Sequence, residues 1–144
     1  MQNYFYSAKQ INELRSAAQY YKLYAPAEFW SSPASVLQKA CNGCGPERWS
    51  VNKRAAITAV FEPYAAAFAI HDVRFTYQLG TCKQANKELL KNLRKIWSKR
   101  FGFFRWISPV AWIERFRVLP FIYAAVTLGG ERAWQEAMGG ADDN

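Results

Sequence analysis

One histidine stands in this chain of 144 residues, and the residue types around it can do chemistry. Asp72 follows His71 directly, and Asn86 lies fifteen positions after His71. A neutral imidazole can take a proton from water, because its unperturbed pKa sits near physiological pH. An amide oxygen can orient that ring, and a carboxylate can hold a hard cation. Upstream, CNGCGP at 41–46 brings two cysteines and two glycines. Such glycines allow positive φ and close approach of backbone to a ligand.

Two helices must position these parts. Pro63 suits the first turn of one, where no N–H is needed. Tyr64, Phe68, His71, Phe75 and Leu79 then recur at spacings of three and four, one face of a helix. Gly80 reads as its stop, and Thr81 with Gln84 reads as a capping box that starts the next. In that second helix Cys82, Asn86, Leu89, Leu93 and Ile96 share a stripe, and the helix runs to about Arg100. Each apolar face carries one polar residue, His71 or Asn86. His71 lies nine residues before Gly80 and Asn86 six after it, so an antiparallel hairpin brings them within reach. A buried polar group needs a partner, and each can serve the other. Asp72 points about 100° further round its helix. The bland alternative is a core histidine satisfied by Asn86, with Asp72 merely solvated.

Loop, His-Asp dipeptide and second-helix polar residue, in this order, resemble a phospholipase A2 of the short, disulfide-poor kind. The resemblance covers about 40 to 90, with a weaker echo in YAAVTLGGERAWQEA at 123–137. It implies calcium-dependent hydrolysis of the sn-2 ester of phospholipids. His71 would be the base and Asn86 the residue that orients it. Asp72 would bind calcium, with backbone carbonyls at Cys41, Gly43 and Gly45, and the Gly43 N–H would be the oxyanion donor. Asn86 stands where the family has Asp, and Phe75 where it usually has a Tyr bonded to that Asp. Gly45 to His71 is also a longer spacing than in the compact secreted enzymes. The first two departures belong to one hydrogen-bond network and predict reduced turnover. A catalytically weakened protein that binds membranes or a partner is the second expectation.

Two other chemistries share these residues. Cys41, Cys44, His71 and Cys82 could form a Cys3His zinc site. Lys83, Lys87, Lys91, Arg94, Lys95 and Lys99 could face nucleic acid, although a solvated helix surface accounts for several of them and nucleic acid is not the expected partner.

Composition sets the frame. Half the chain is hydrophobic and the length is that of one domain, 1–144, so an ordered core is expected. The predicted class is all-α, since no alternating strand pattern stands out. The net charge of +8 favours an anionic partner, either lipid headgroups or nucleic acid. Phe101, Phe103, Phe104, Trp106 and Trp112 stand among Arg105, Arg115 and Arg117, with Arg100 just before them, a composition suited to an anionic membrane surface. Trp30, Arg105 and Trp106 are the expected contacts, with at least half of the five rings expected in the core. Three cysteines cannot all pair, which argues against an extracellular disulfide framework. MQNYFYSAKQINELR lacks the pattern of a signal peptide, so synthesis in the cytoplasm is expected, with a peripheral membrane role or export by a signal-independent route.

The remaining chain reads as helices and loops. Ser7 caps a first helix to about Tyr24, and Pro26 ends it. Residues 25–33 read as a loop. A short helix follows with Val36, Leu37 and Ala40 inward, then another over 50–61. Pro120 opens a last helix to about Met138, and Gly129-Gly130 offers a kink or a close approach.

Overall fold

The computed structural model describes residues 5–43 and 50–139, and every regular element within them is helical. The all-α class therefore holds among the described residues. Ser7 starts α1 (Ala8–Tyr20) through a capping box with Gln10. The helix stops before Pro26 because Lys22 turns left-handed, at φ 53°. The Leu23 and Lys22 N–H groups then reach back to the Ala18 and Gln19 carbonyls. That is a Schellman ending, with the apolar Leu23 folded in behind it.

The expected loop at 25–33 contains a helical turn, α2 (Ala27–Ser31). Its Phe29 is buried, and the Arg15 Nε donates to the Phe29 carbonyl at 2.9 Å. Five residues are too few for a helical period to show in sequence. In α3 (Ala34–Ala40) Leu37 and Ala40 face the core, whereas Val36 faces solvent, contrary to expectation. Val36 and Leu37 are adjacent, so one helix face cannot hold both equally. Ser50 caps α4 (Val51–Val60), and a 3-10 turn holding Pro63 (Glu62–Tyr64) leads into α5 (Ala65–Thr76).

α5 ends as α1 does. Gln78 sits at φ 50°, and the Leu79 and Gln78 N–H groups bond to Arg74 and Phe75 carbonyls. The stop therefore falls two residues before Gly80, which supplies a separate bend at φ 90°. Thr81 and Gln84 then form the expected capping box on α6 (Cys82–Phe101). α5 packs on α6, α1 and α3, and α6 also packs on α8. The small Ala66, Ala67 and Ala69 of α5 let neighbouring helices come close to it.

Leu89, Leu93 and Ile96 of α6 form the centre of the core with Ile70 and Val73. Leu93→Ala should cost about 2–5 kcal/mol, because Leu93 is fully buried and its truncation leaves a cavity in the core. A urea midpoint shifted at constant slope would show it; a loss under about 1 kcal/mol would place the core elsewhere.

After Gly102, at φ 49°, the chain leaves the α6 axis in a 3-10 turn (Gly102–Trp106). α7 (Pro109–Ile113), a π-helical turn (Glu114–Val118) and α8 (Leu119–Gly139) follow without a break. Pro120 does not open this helix, since helical structure already precedes it. It has no N–H for the Phe116 carbonyl, and its ring crowds that carbonyl. The widened turn lies just upstream, where such a mismatch is absorbed. Among the described residues no helix is long and apolar enough to cross a membrane.

Candidate functional site

His71 and Asn86 meet across the α5–α6 turn. His71 Nε2 lies 2.8 Å from Asn86 Oδ1, and Asn86 is buried. The Asn86 amide nitrogen donates to Cys82 Sγ at 3.6 Å, which leaves its oxygen facing the histidine. Nε2 must then carry the proton, and Nδ1 keeps the lone pair that a base needs. Burial pushes the imidazole down to about 4, and the Asn86 bond opposes that shift. His71 is therefore neutral at physiological pH. Phe75 stacks on it at 4.4 Å between ring centres and offers no hydrogen bond.

Asp72 joins a different set. Its Oδ2 accepts the Asn42 N–H at 3.1 Å, and the Arg54 Nη1 donates to the Asn42 carbonyl at 2.9 Å. Burial pushes the Asp72 carboxyl well above the usual range, while the Asn42 N–H and the Arg54 charge pull it back. Asn42 thus bridges a carboxyl on α5 and a guanidinium on α4. Arg54 Nε is itself buried without a hydrogen-bond partner.

The loop residues follow from this bridge. Every described peptide is trans, so a carbonyl and the N–H of the same peptide point opposite ways. Since the Asn42 N–H faces Asp72, the Cys41 carbonyl faces away from it. By the same rule the Gly43 N–H points away from Arg54. Gly43 sits at φ 83°, and a Cβ there would lie 2.6 Å from the Phe5 ring, so only glycine suits the position. Gly45 and Cys44 lie outside the described residues. Calcium wants six to eight oxygens. The described half of the loop does not fit such a shell as it stands: Asp72 is met by an N–H, the Cys41 carbonyl is turned away, and Arg54 brings a positive charge. Nor do His, Cys, Asp and Glu side chains gather in threes anywhere among the described residues. Cys41, His71 and Cys82 therefore do not converge as the Cys3His zinc expectation requires. Cys41 Sγ contacts the Ala69 carbonyl at 3.6 Å, and burial pushes its thiol up.

An open groove of about 1230 Å³ runs between α1, α3 and α4. Phe5, Leu14 and Tyr21 give it apolar walls, and Asn42 with Arg54 line it too. Neither His71 nor Asp72 lines it; the groove reaches their neighbours only.

The basic residues of α6 divide. Lys95 and Lys99 donate to the Lys22 and Tyr20 carbonyls and lie over the Tyr24 and Tyr20 rings at 3.6 and 3.7 Å. They close the C-terminal end of α1, where cations are favoured, and so are not free for nucleic acid.

The aromatic stretch overturns its expectation. Phe103, Phe104, Trp106 and Trp112 are exposed, and only Phe101 is partly buried. The 3-10 turn carries the chain away from a core that α5, α6 and α1 already fill. Trp30 is exposed at the edge of α2 with its ring against Phe29. Arg105 donates to Ser98 Oγ at 3.0 Å and stacks on Trp106.

Sequence reasoning missed several residues. Arg74 grips Glu88 with two bonds of 2.7 and 2.6 Å, tying α5 to α6 beside the site. Asn92 clamps the backbone of Tyr24 through both its amide atoms, at 2.9 and 2.8 Å. Asn92 stands six residues after Asn86, a second buried amide on a helix with an apolar stripe, and that signal lies in the sequence. Nothing in the spacing of Arg54 or Trp134 marks either of them.

No family model matches the chain, and no curated protein or solved structure shows detectable similarity to it. The described residues form an all-α fold in which a neutral, half-buried His71 is paired with a buried Asn86.

Proposed function

We propose that the protein is a phospholipase A2-like hydrolase that cleaves the sn-2 ester of membrane phospholipids. The observation that carries this reading is the 2.8 Å contact between His71 Nε2 and Asn86 Oδ1, which reserves Nδ1 for a water. In the reaction Nδ1 takes a proton from water, and the oxygen attacks the ester carbonyl. The resulting oxyanion would meet the Gly43 N–H, as the resemblance implies. The imidazolium then returns its proton to the leaving alkoxide, and the acyl–oxygen bond breaks to give fatty acid and lysophospholipid. The groove beside Asn42 and Arg54 offers apolar walls for a lipid chain. Calcium dependence rests on the resemblance alone: it implies Asp72, Cys41, Gly43 and Gly45 as ligands, a set that the described part of the loop does not fit, and no step here is routed through the ion. The test is release of fatty acid from phospholipid vesicles, with calcium and with chelator. No release under either condition would leave the second reading, a weakened lipid-binding protein, which the neutral Asn86 favours.

A hydrolase acting on packed lipid must first bind a surface. Phe103, Phe104, Trp106 and Phe116 are exposed beside Arg105 and Arg117. Aromatic rings sit well at headgroup depth, and each basic residue near an anionic leaflet gains about 1 kcal/mol. Binding should therefore favour anionic over neutral vesicles and weaken with salt. Arg105→Glu with Trp106→Ala should weaken it about tenfold or more, since one charge is reversed and one ring removed. Sedimentation with vesicles measures this, and equal binding to both lipid types would point to a soluble partner instead.

A further inference from the structure

Over residues 123–138, α8 buries only Gly130 and Trp134, one turn apart on the same face. Both land on the surroundings of His71. A Cβ on Gly130 would stand 3.3 Å from the Phe75 ring, 3.5 Å from the Asn86 amide nitrogen and 3.6 Å from Cys82 Sγ. The Trp134 ring meets Phe75 edge to face at 4.9 Å, and Phe75 in turn stacks on His71 at 4.4 Å. Trp134, Cys82 and Ala85 form an apolar cluster of their own with Phe75, separate from the main core. Phe75 has no hydroxyl with which to anchor itself or Asn86. Its ring angle is set by packing alone, from Cys82 and Ala85 of α6 on one hand and from the Trp134 ring of α8 on the other.

We propose that Trp134 and Gly130 are positioning residues for His71. Gly130 lets α8 approach, Trp134 fixes the Phe75 ring, and Phe75 fixes the imidazole so that Nε2 points at Asn86 Oδ1. Trp134 acts on the imidazole through Phe75. Only its kinetic arm rests on the hydrolase reading; the geometry stands without it.

His71 is the only histidine, so its ring signals in an NMR spectrum need no assignment. In the wild type the ring protons should be shifted by the Phe75 ring current, and the nitrogen signals should report the Nε2–H tautomer at neutral pH. In Trp134→Ala both signatures should move toward those of a free imidazole. Fatty-acid release should lose about ten- to a hundredfold in kcat with little change in KM. Trp134→Phe keeps an aromatic edge and should restore the signals and the rate. If Trp134→Ala proves unfolded by thermal melting, Gly130→Ala replaces it. Its added methyl presses on Phe75 and should displace the His71 signals in a folded protein. A His71 spectrum unchanged in the folded variant overturns the proposal. So does a spectrum that Trp134→Phe alters as much as Trp134→Ala. Absence of fatty-acid release from every protein, wild type included, would count against the hydrolase reading, while the spectra still decide this one.

Discussion

His71→Ala is expected to abolish fatty-acid release while leaving the helical content unchanged. The neutral imidazole is the base in the proposed reaction, and alanine has nothing to take the proton. General-base catalysis contributes about 10²–10⁴-fold, so residual release should fall to the background of the assay. The pH profile gives an independent check. Burial holds the folded imidazole at about 4, below its unfolded value. Activity should therefore persist as pH falls through 6 and 5 and fade only near 4. The same shift has a consequence for stability. Between the two values the unfolded chain binds more protons than the folded one, so this group's contribution is present above the unfolded value and is lost as pH falls toward 4. In His71→Ala that acid-side loss should shrink. An acid limb near the ordinary histidine value, or turnover that survives His71→Ala, would remove this site from consideration.

Asn86 is the second test. Asn86→Leu removes the acceptor of the Nε2 proton and strands that N–H in an apolar setting. With the tautomer no longer held, Nδ1 is protonated part of the time and cannot act as a base. Loss of the charged partner from the serine-protease triad costs about 10⁴ in rate, partly through the wrong tautomer. A fall of about 10²–10³ is the expectation here, since a neutral amide contributes less to begin with. Asn86→Asp moves the other way. A buried carboxylate beside His71 would stabilise the imidazolium that forms in the reaction, and the folded pKa of His71 would rise. Adding Phe75→Tyr supplies a hydroxyl for the new carboxylate. Activity of the double variant should match or exceed that of the wild type. Steady-state rates on one vesicle preparation compare all three, and an Asn86→Leu protein as active as the wild type would mean that the 2.8 Å contact is structural only.

The meeting of His71 with Asn86 is legible in the residue pattern. Helical spacing puts each on an apolar stripe, and a short connection leaves them at similar distances from the turn. Polar groups on two facing apolar stripes need partners, and the nearest is each other. The capping box at Thr81 and Gln84 is legible because its partners are only three residues apart. The helix stops are not. Both α1 and α5 end on a left-handed residue that is not glycine, Lys22 or Gln78. No residue type announces such an ending, because the packing of Leu23 and Leu79 behind the turn offsets the backbone cost.

Long-range contacts set what surrounds the pair. Asp72 reads in sequence as half of a dipeptide, but its surroundings come from Asn42 and Arg54 on other elements. Which way the 41–42 peptide turns depends on that bridge, and local spacing carries no trace of it. The aromatics at 101–117 show the same limit. Their composition establishes that they are apolar and interleaved with arginine, and it cannot tell core from surface. Gly102 and the turn after it carry them outward because the core space is already taken. Residue type and helical period are local properties, so they suffice to mark His71, Asp72 and Asn86 and the helices that carry them. The contacts of α4 and α8 join residues far apart in the chain, so only folding decides what stands next to the site and how deeply it lies.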